Sequence, residues 1–379
     1  MEDRVLEQAA DFVPDESGEP KGPAGRPGLD AHASFHALLT QLPGYEDQVA
    51  SYHFFPPRSG RREQAYAGPY AEELRRLDIA PHGHQAAALS ALGSGEDVVI
   101  ATPTASGKSL VFQVPLAAAV KRGGTGIVLY PTKALAHDQL GRLRHIYGAL
   151  RGQREPEPGD AIATYDGDTA AERRANVRDN VRCALTNPDM LHYGILPYHE
   201  RWAPFLGSLE LIVLDELHAY RGVLGTHVAN VIMRLLRVAE RYGARPRVVC
   251  ASATIGNPGE HATRLTGRAF TVIEEDDAPA GAREFVLWRP PATADGRRRS
   301  ANTEAAGLAA AFAQRGVKSI FFCNSRKGAE LVRRYAAQQL EPELAEKIRS
   351  YRAGYTAEDR RELEAGFRAG EITVLTATS

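Results

Sequence analysis

Two short stretches of the chain bring together residue types that phosphate chemistry uses at close quarters. Thr102-Pro103-Thr104-Ala105-Ser106-Gly107-Lys108-Ser109 follows the apolar run from Asp97 to Ala101 and precedes a helical pattern. A strand feeding a tight turn and then a helix N-terminus aims several backbone N–H groups, and the positive end of the helix dipole, at one point where a triphosphate sits. Gly107 lets the backbone approach, Lys108 supplies a point charge for the β- and γ-phosphates, and Ser109 offers a hydroxyl to Mg²⁺. Thr102 stands where the plain G-x-x-x-x-G-K-[ST] pattern has its first glycine. The second stretch, Asp215-Glu216-Leu217-His218, ends the run from Leu209 to Leu214, at the kind of position where open α/β sheets place their ligands. Asp215 has the chemistry to hold Mg²⁺ opposite the Ser109 hydroxyl, and Glu216 to orient and deprotonate an attacking water. The two stretches together predict ATP and Mg²⁺ as cofactors.

These residues need a scaffold, and the surrounding pattern supplies one. Asp97 to Ala101, Thr125 to Tyr130, Leu209 to Leu214 and Arg247 to Ala251 read as strands apolar on both faces, as buried parallel strands are. Helical patterns from Ala134 to Leu150 and from Val228 to Tyr242 lie between them. The alternation predicts an α/β fold with a doubly wound parallel sheet. The acidic run Glu274 to Asp277, Arg289-Pro290-Pro291 and Gly296-Arg297-Arg298-Arg299 read as a last strand followed by a solvated linker. Beyond it a helix (Glu304 to Gln314), a strand (Val317 to Cys323), a helix (Arg326 to Gln339) and a strand (Glu371 to Ala377) resume the rhythm, and the chain ends inside this second unit. Residues 1–30, rich in proline and acids, read as a tail that buries too little apolar surface to offset its ordering entropy. The expected division is a tail over 1–30, a first domain with an N-terminal extension over 31–285, a linker over 286–301 and a partial second domain over 302–379. The aromatic and basic stretch from Phe54 to Arg62 reads as a strap on the first domain's surface.

Composition sets limits on function. With 43% hydrophobic and 25% charged residues, the 379-residue chain has ordinary globular values, which exclude a wholly disordered protein. Lys plus Arg (46) nearly cancel Asp plus Glu (47), so any anion site is local rather than a property of the whole surface. Cys183, Cys250 and Cys323 are too few and too scattered for a disulfide framework or a paired-cysteine metal site, which fits a reducing cytoplasm. Cys250 and Cys323 read as small buried hydrophobes. No apolar run approaches about 18 residues, so no membrane association is expected.

From about Pro81 onward the motifs resemble those of superfamily 2 helicases of the DExH type. TPTASGKS, DELH and Ser252-Ala253-Thr254 occur in that family's order and spacing. His84-Gln85 resembles the glutamine motif that reads adenine, so the resemblance adds Gln85 to Thr102, Thr104, Ala105, Ser106, Gly107, Lys108 and Ser109 at the nucleotide. His82 stands where an aromatic residue commonly precedes that motif. Pro131-Thr132-Lys133-Ala134-Leu135 resembles motif Ia, and Asp166-Gly167-Asp168 and Thr186-Asn187-Pro188-Asp189 resemble motifs Ib and Ic. The resemblance implies nucleic-acid contacts from Pro131, Thr132, Lys133, Asp166, Gly167, Asn187, Pro188 and Asp189. It also implies that Ser252 and Thr254 couple the ATP site to the bound strand, joined by His218. Phe321-Phe322-Cys323-Asn324-Ser325-Arg326 resembles motif IV, with Arg326 reaching phosphate, and Thr376-Ala377-Thr378-Ser379 resembles the opening of motif V. The arginine-bearing motif VI has no counterpart. An arginine finger contributes on the order of 10³ to 10⁵ in rate, so the expectation is a chain that binds ATP and hydrolyses it poorly. The residues from Ala219 to Ala229 resemble the RecQ-related DNA helicases of the mitomycin repair factor type. That resemblance implies two RecA-like lobes, the first complete and the second partial, ATP-driven 3′ to 5′ movement on single-stranded DNA, and a place in DNA repair. The four-cysteine zinc region of those helicases has no counterpart in this sequence. Two other readings stand beside it: a catalytically weak nucleotide- and nucleic-acid-binding fragment, and an RNA-directed DExH helicase.

Overall fold

A computed structural model of the chain describes residues 35–153, 161–293 and 296–378. The expected tail over 1–30 lies outside the described residues. The strands are β1 (Val49–Phe55), β2 (Val98–Ala101), β3 (Thr125–Leu129), β4 (Ile162–Thr164), β5 (Cys183–Thr186), β6 (Leu209–Leu214), β7 (Arg247–Ser252), β8 (Thr271–Ile273), β9 (Arg283–Trp288), β10 (Ser319–Cys323), β11 (Ile348–Tyr351) and β12 (Val374–Thr378). Two compact units divide the chain: Pro57–Gly281, and Met1–Pro56 together with Ala282–Ser379.

The Pro57–Gly281 unit is built on a sheet in the order β4-β5-β3-β6-β7-β2-β8. All its ladders are parallel. Parallel strands put every C-terminal end on one edge, which therefore carries all the loops that follow the strands. Strand residues alternate between two apolar layers. Val99, Ile127, Leu129, Ile212, Leu214, Val248 and Cys250 enter one, and Val98, Ile100, Val128, Val213, Val249 and Ala251 enter the other. The Leu110–Lys121 helix is buried from Val111 to Val120 and, but for Gln113, which bonds Gln139, is apolar along that stretch, as suits a helix covered on every side. On the other face, the Gly222–Arg241 helix is amphipathic and buries Gly225, Val228, Val231, Ile232, Leu235 and Ala239 at helical spacing. Truncating one such buried leucine or isoleucine to alanine costs on the order of 2–5 kcal/mol.

In the other unit β10, β12 and β11 form a parallel sheet with β12 central. The Ala301–Gln314 and Arg326–Ala337 helices pack on it through Ala306, Ala309, Ala310, Ala313, Val332 and Ala336. β1 and β9 pair antiparallel, from Val49 opposite Trp288 to Phe55 opposite Arg283. The Phe35–Thr40 helix buries Leu38 and Leu39 in a cluster with Phe312.

This arrangement corrects the expected boundaries. Residues 35–55, assigned from sequence to an extension of the first domain, pair and pack with segments beyond residue 282, because β9 supplies the antiparallel backbone partner of β1. β9 itself runs to Trp288, inside the stretch expected to be linker. Cys183 and Cys250 are buried free thiols, and burial pushes Cys183 up to about 12; Cys323 is only half-buried. Among the described residues, no helix is long and apolar enough to cross a membrane.

Candidate nucleotide and nucleic-acid sites

The Thr102–Ser109 loop leaves β2 and turns into the Leu110–Lys121 helix. Two residues in the left-handed region make the turn, Ala105 (φ 68°) and Gly107 (φ 80°). At Gly107 the need for glycine is double, because a Cβ there collides with the Gln85 amide. Thr102, in the place of the pattern's first glycine, is fully buried, and its hydroxyl lies 2.7 Å from the equally buried Ser106 hydroxyl. The substitution replaces a flexible entry with a pinned one. Lys108 Nζ donates to the carbonyls of Thr102 and Pro103, both at 2.8 Å, and so caps the loop. Burial pulls the Lys108 ammonium below its ordinary value, while the nearby Glu216 and Asp215 carboxylates act the other way. Thr104 is exposed and Ser109 half-buried at the helix start.

Asp215 and Glu216 follow β6. β7 separates β6 from β2, with Leu214 paired to Cys250 and Ala101 to Ser252, so the two loops share the C-terminal edge roughly 10 Å apart. Burial pushes the Asp215 carboxyl up to about 6, opposed by the Glu216 N–H it accepts at 2.9 Å. Glu216 sits in the left-handed region (φ 51°), which turns its carboxylate toward His218, 3.3 Å away. His218 Nδ1 lies 3.4 Å from the Ser252 hydroxyl at the end of β7. Glu216, His218 and Ser252 thus form a polar chain across two strand ends. Thr254 is exposed beyond β7 and lines an open cleft of about 710 Å³ with Arg221, Thr226, Asn257 and Arg264.

Gln85 begins the Gly83–Gly93 helix and is 4% exposed. Its Oε1 accepts from the His82 N–H at 2.8 Å and its Nε2 donates to the Gly107 carbonyl at 2.9 Å. One N–H and one lone pair remain for a ligand.

On the other half of the same edge, β4, β5 and β3 are neighbours, so the three loops expected to hold nucleic acid stand side by side. Lys133 reaches across from the β3 loop to Asp168 in the β4 loop, 2.7 Å away, and its Nζ lies beside Gly167. Asp166 is 2% exposed; one carboxylate oxygen accepts the Asp168 N–H, and the other lies 3.4 Å from His137 Nε2. Asp166 therefore shapes its loop rather than facing outward. Thr132 and Asn187 are N-caps, accepting from Leu135 N–H and Met190 N–H, with Pro188 buried and Asp189 exposed behind Asn187. Pro131 is half-buried. Arg326 belongs to the other compact unit, exposed at the start of the Arg326–Ala337 helix.

Sequence reasoning named His84 only as the neighbour of Gln85 and gave Asp276 and Asp277 no role at the site. The acidic run was read as the approach to a linker, yet Asp276 binds Arg58, acts electrostatically on Lys108, and stands beside His84. The only sequence signal was the coincidence of an acidic run and a basic strap, with nothing to say that they meet.

Residues 82–261 match the model of the DEAD/DEAH box helicase family. The chain carries a DEAD/DEAH box helicase domain. An uncharacterized ATP-dependent helicase of Bacillus subtilis (strain 168), YprA, is 38% identical over 359 residues, covering 91% of this chain and 46% of that protein. ATP-dependent helicase hrq1 of Schizosaccharomyces pombe is 35% identical over 370 residues, covering 91% of this chain and 34% of that protein. The crystal structure of DUF1998 helicase MrfA bound to DNA and AMPPNP superposes with a TM-score of 0.82 at 37% identity, over 91% of this chain and 48% of that one. The chain thus spans from a third to about half the length of these relatives. The helicase domain has a RecA-like fold.

Proposed function

We propose that the chain is the motor portion of an ATP-dependent DNA helicase or translocase, working in the cytoplasm, tracking single-stranded DNA 3′ to 5′ and serving DNA repair. The observation that carries the reading is the shared sheet edge: the Gly107 turn and the Asp215 carboxylate face the same side, within each other's electrostatic reach. Lys108 holds phosphate oxygens in place of the two carbonyls it now caps. The donor set suits Mg²⁺: a hydroxyl from Ser109 and a hard carboxylate from Asp215, leaving the other positions to phosphate and water. When bound, Mg²⁺ neutralises charge that builds on the phosphates. Glu216, oriented by His218, takes the proton of the attacking water, and the contacts of Glu216 and Ser252 with the same His218 Nδ1 link that state to the end of β7. The three free thiols support a reducing compartment.

The likeness to a helicase crystallised with DNA supports nucleic acid on the Lys133, Gly167 and Asn187 loops. The test is ATP hydrolysis by this chain with and without single-stranded DNA, and with RNA of the same sequence. DNA stimulation that disappears in Lys108→Ala supports the reading; full DNA-stimulated hydrolysis by Lys108→Ala overturns it. Duplexes with 3′ or 5′ tails test polarity, and stronger unwinding of the 5′-tailed substrate overturns the 3′ to 5′ assignment.

A further inference from the structure

Every covalent path between the two compact units passes through one narrow place, because the chain enters the helicase domain at Pro57 and leaves it at Gly281. Just inside, the two passes are bonded to each other. Arg58 N–H donates to the Ala280 carbonyl and Ala280 N–H to the Arg58 carbonyl, both at 2.8 Å, and Arg61 N–H donates to the Asp277 carbonyl at 2.9 Å. The Arg58 guanidinium binds the Asp276 carboxylate and, at 2.9 Å, the Ala278 carbonyl. Just outside, β1 and β9 continue the pairing. The fit is close: a Cβ on Gly60 would collide with Pro279, and one on Gly83 with the Asp277 carboxylate.

This ribbon is wired to the phosphate loop through one imidazole. His84 is 2% exposed. Its Nδ1 accepts the Asp277 N–H at 3.2 Å, and its Nε2 lies 3.0 Å from the Ser106 carbonyl. Since an amide N–H can only donate, Nδ1 carries no proton, and the ring's single proton sits on Nε2 and points at Ser106. Burial pulls the ring's pKa down, against the Asp276 and Asp277 carboxylates nearby, and the stacked His82 ring also disfavours the cation. Both nitrogens are thus committed, one to each side.

We propose that His84 is a positioning residue that couples the state of the phosphate loop to the ribbon joining the two compact units, a role that rests on reading Thr102–Ser109 as the nucleotide site. Lys108 at present holds the Thr102 and Pro103 carbonyls, and phosphate competes for the same ammonium. Release of those carbonyls re-forms the segment leading to Ser106. His84 passes the shift to the Asp277 amide, and the Arg61 and Arg58 pairings follow.

Two substitutions separate the two bonds. His84→Gln extends an amide to the Ser106 carbonyl and gives up the acceptor for Asp277; His84→Asn keeps an acceptor near the Nδ1 position and gives up Ser106. The experiment is amide hydrogen exchange on the full chain with and without AMPPNP and Mg²⁺, beside direct AMPPNP binding by calorimetry. In the wild-type chain AMPPNP should change exchange at the Arg58, Arg61, Asp277 and Ala280 amides on the order of fivefold, the effect of one hydrogen bond of ordinary strength. In both variants that response should fall below about twofold while AMPPNP still binds. Without nucleotide, the Asp277 amide should exchange faster in His84→Gln and not in His84→Asn. Bound AMPPNP with no ribbon response in the wild type, or a full response in both variants, overturns the coupling alone. Failure of the wild-type chain to bind AMPPNP overturns the nucleotide reading, and the coupling with it.

Discussion

The two halves of the sheet edge use the same residue types in opposite ways. On the β6-β7-β2 half, Lys108 and Asp215 are drawn into the protein, and burial shifts both toward their neutral forms. On the β4-β5-β3 half, the Lys133–Asp168 pair lies open to solvent at 2.7 Å, and that hydrogen bond holds Lys133 above its ordinary value. Buried charge in fixed geometry acts strongly and on one ligand in one place. Exposed charge on neighbouring loops exchanges partners readily and is screened by salt, which suits the strand tracking proposed above. Under the proposed function, the difference assigns chemistry to one half and grip to the other.

The sharpest break in that contrast is Lys108→Ala. It should lower nucleotide-dependent turnover on the order of 10²- to 10³-fold, with an unchanged far-ultraviolet circular dichroism spectrum, and steady-state kinetics checks it. An intact rate would place the chemistry elsewhere.

Asp215 supplies the next test, through pH. Its carboxyl value rises from 3.8 to about 6 on folding, so ionising it in the nucleotide-free protein costs stability as pH climbs through that interval, on the order of 3 kcal/mol. Asp215→Asn should therefore melt higher than the wild type at pH 7.5, with the gap closing near pH 4; calorimetry at both values decides it. Mg²⁺-dependent nucleotide affinity has the opposite sign. It should be flat above pH 6 and fall about tenfold per unit below it, as the metal-binding carboxylate takes up a proton.

A smaller effect is expected from Thr102→Val, which strands the buried Ser106 hydroxyl 2.7 Å from a methyl group. The loss should be about 1–3 kcal/mol of stability in urea unfolding, and a neutral result would deny that the pinned entry matters. The smallest belongs to the gripping half. Lys133→Ala should weaken single-stranded DNA binding a few-fold and shallow the salt slope by about 0.7, leaving DNA-free AMPPNP affinity alone. Titrations at several salt concentrations measure it, and an equal loss of AMPPNP affinity would erase the distinction between the halves.

Much of the nucleotide half was readable because its strands are apolar on both faces. Val98–Ala101, Leu209–Leu214 and Arg247–Ser252 needed no partner to be recognised, and the loops that follow them carry their own residue spacing. β4 and β8 escaped notice, since three residues are too short for a periodicity to register. β5, Cys-Ala-Leu-Thr, was recognised only through the loop after it. The pairing of β1 with β9 and the meeting of Arg58 with Asp276 join segments more than two hundred residues apart, and no local pattern encodes such a distance. His84 shows the limit most plainly: its neighbour Gln85 declared the motif, while its own partners, Ser106 and Asp277, became visible only in the folded chain.

The antiparallel register of Phe55 with Arg283 has a topological consequence. The stretch from Pro57 to Gly281 is an insertion whose two ends emerge side by side between strands that already lie next to each other, so its excision leaves a nearly closed hairpin that a two-residue turn such as Asn-Gly can seal. The smaller unit is therefore separable from its insert by genetic deletion, whereas a simple cut at residue 281 would deprive β9 of the strand that covers it.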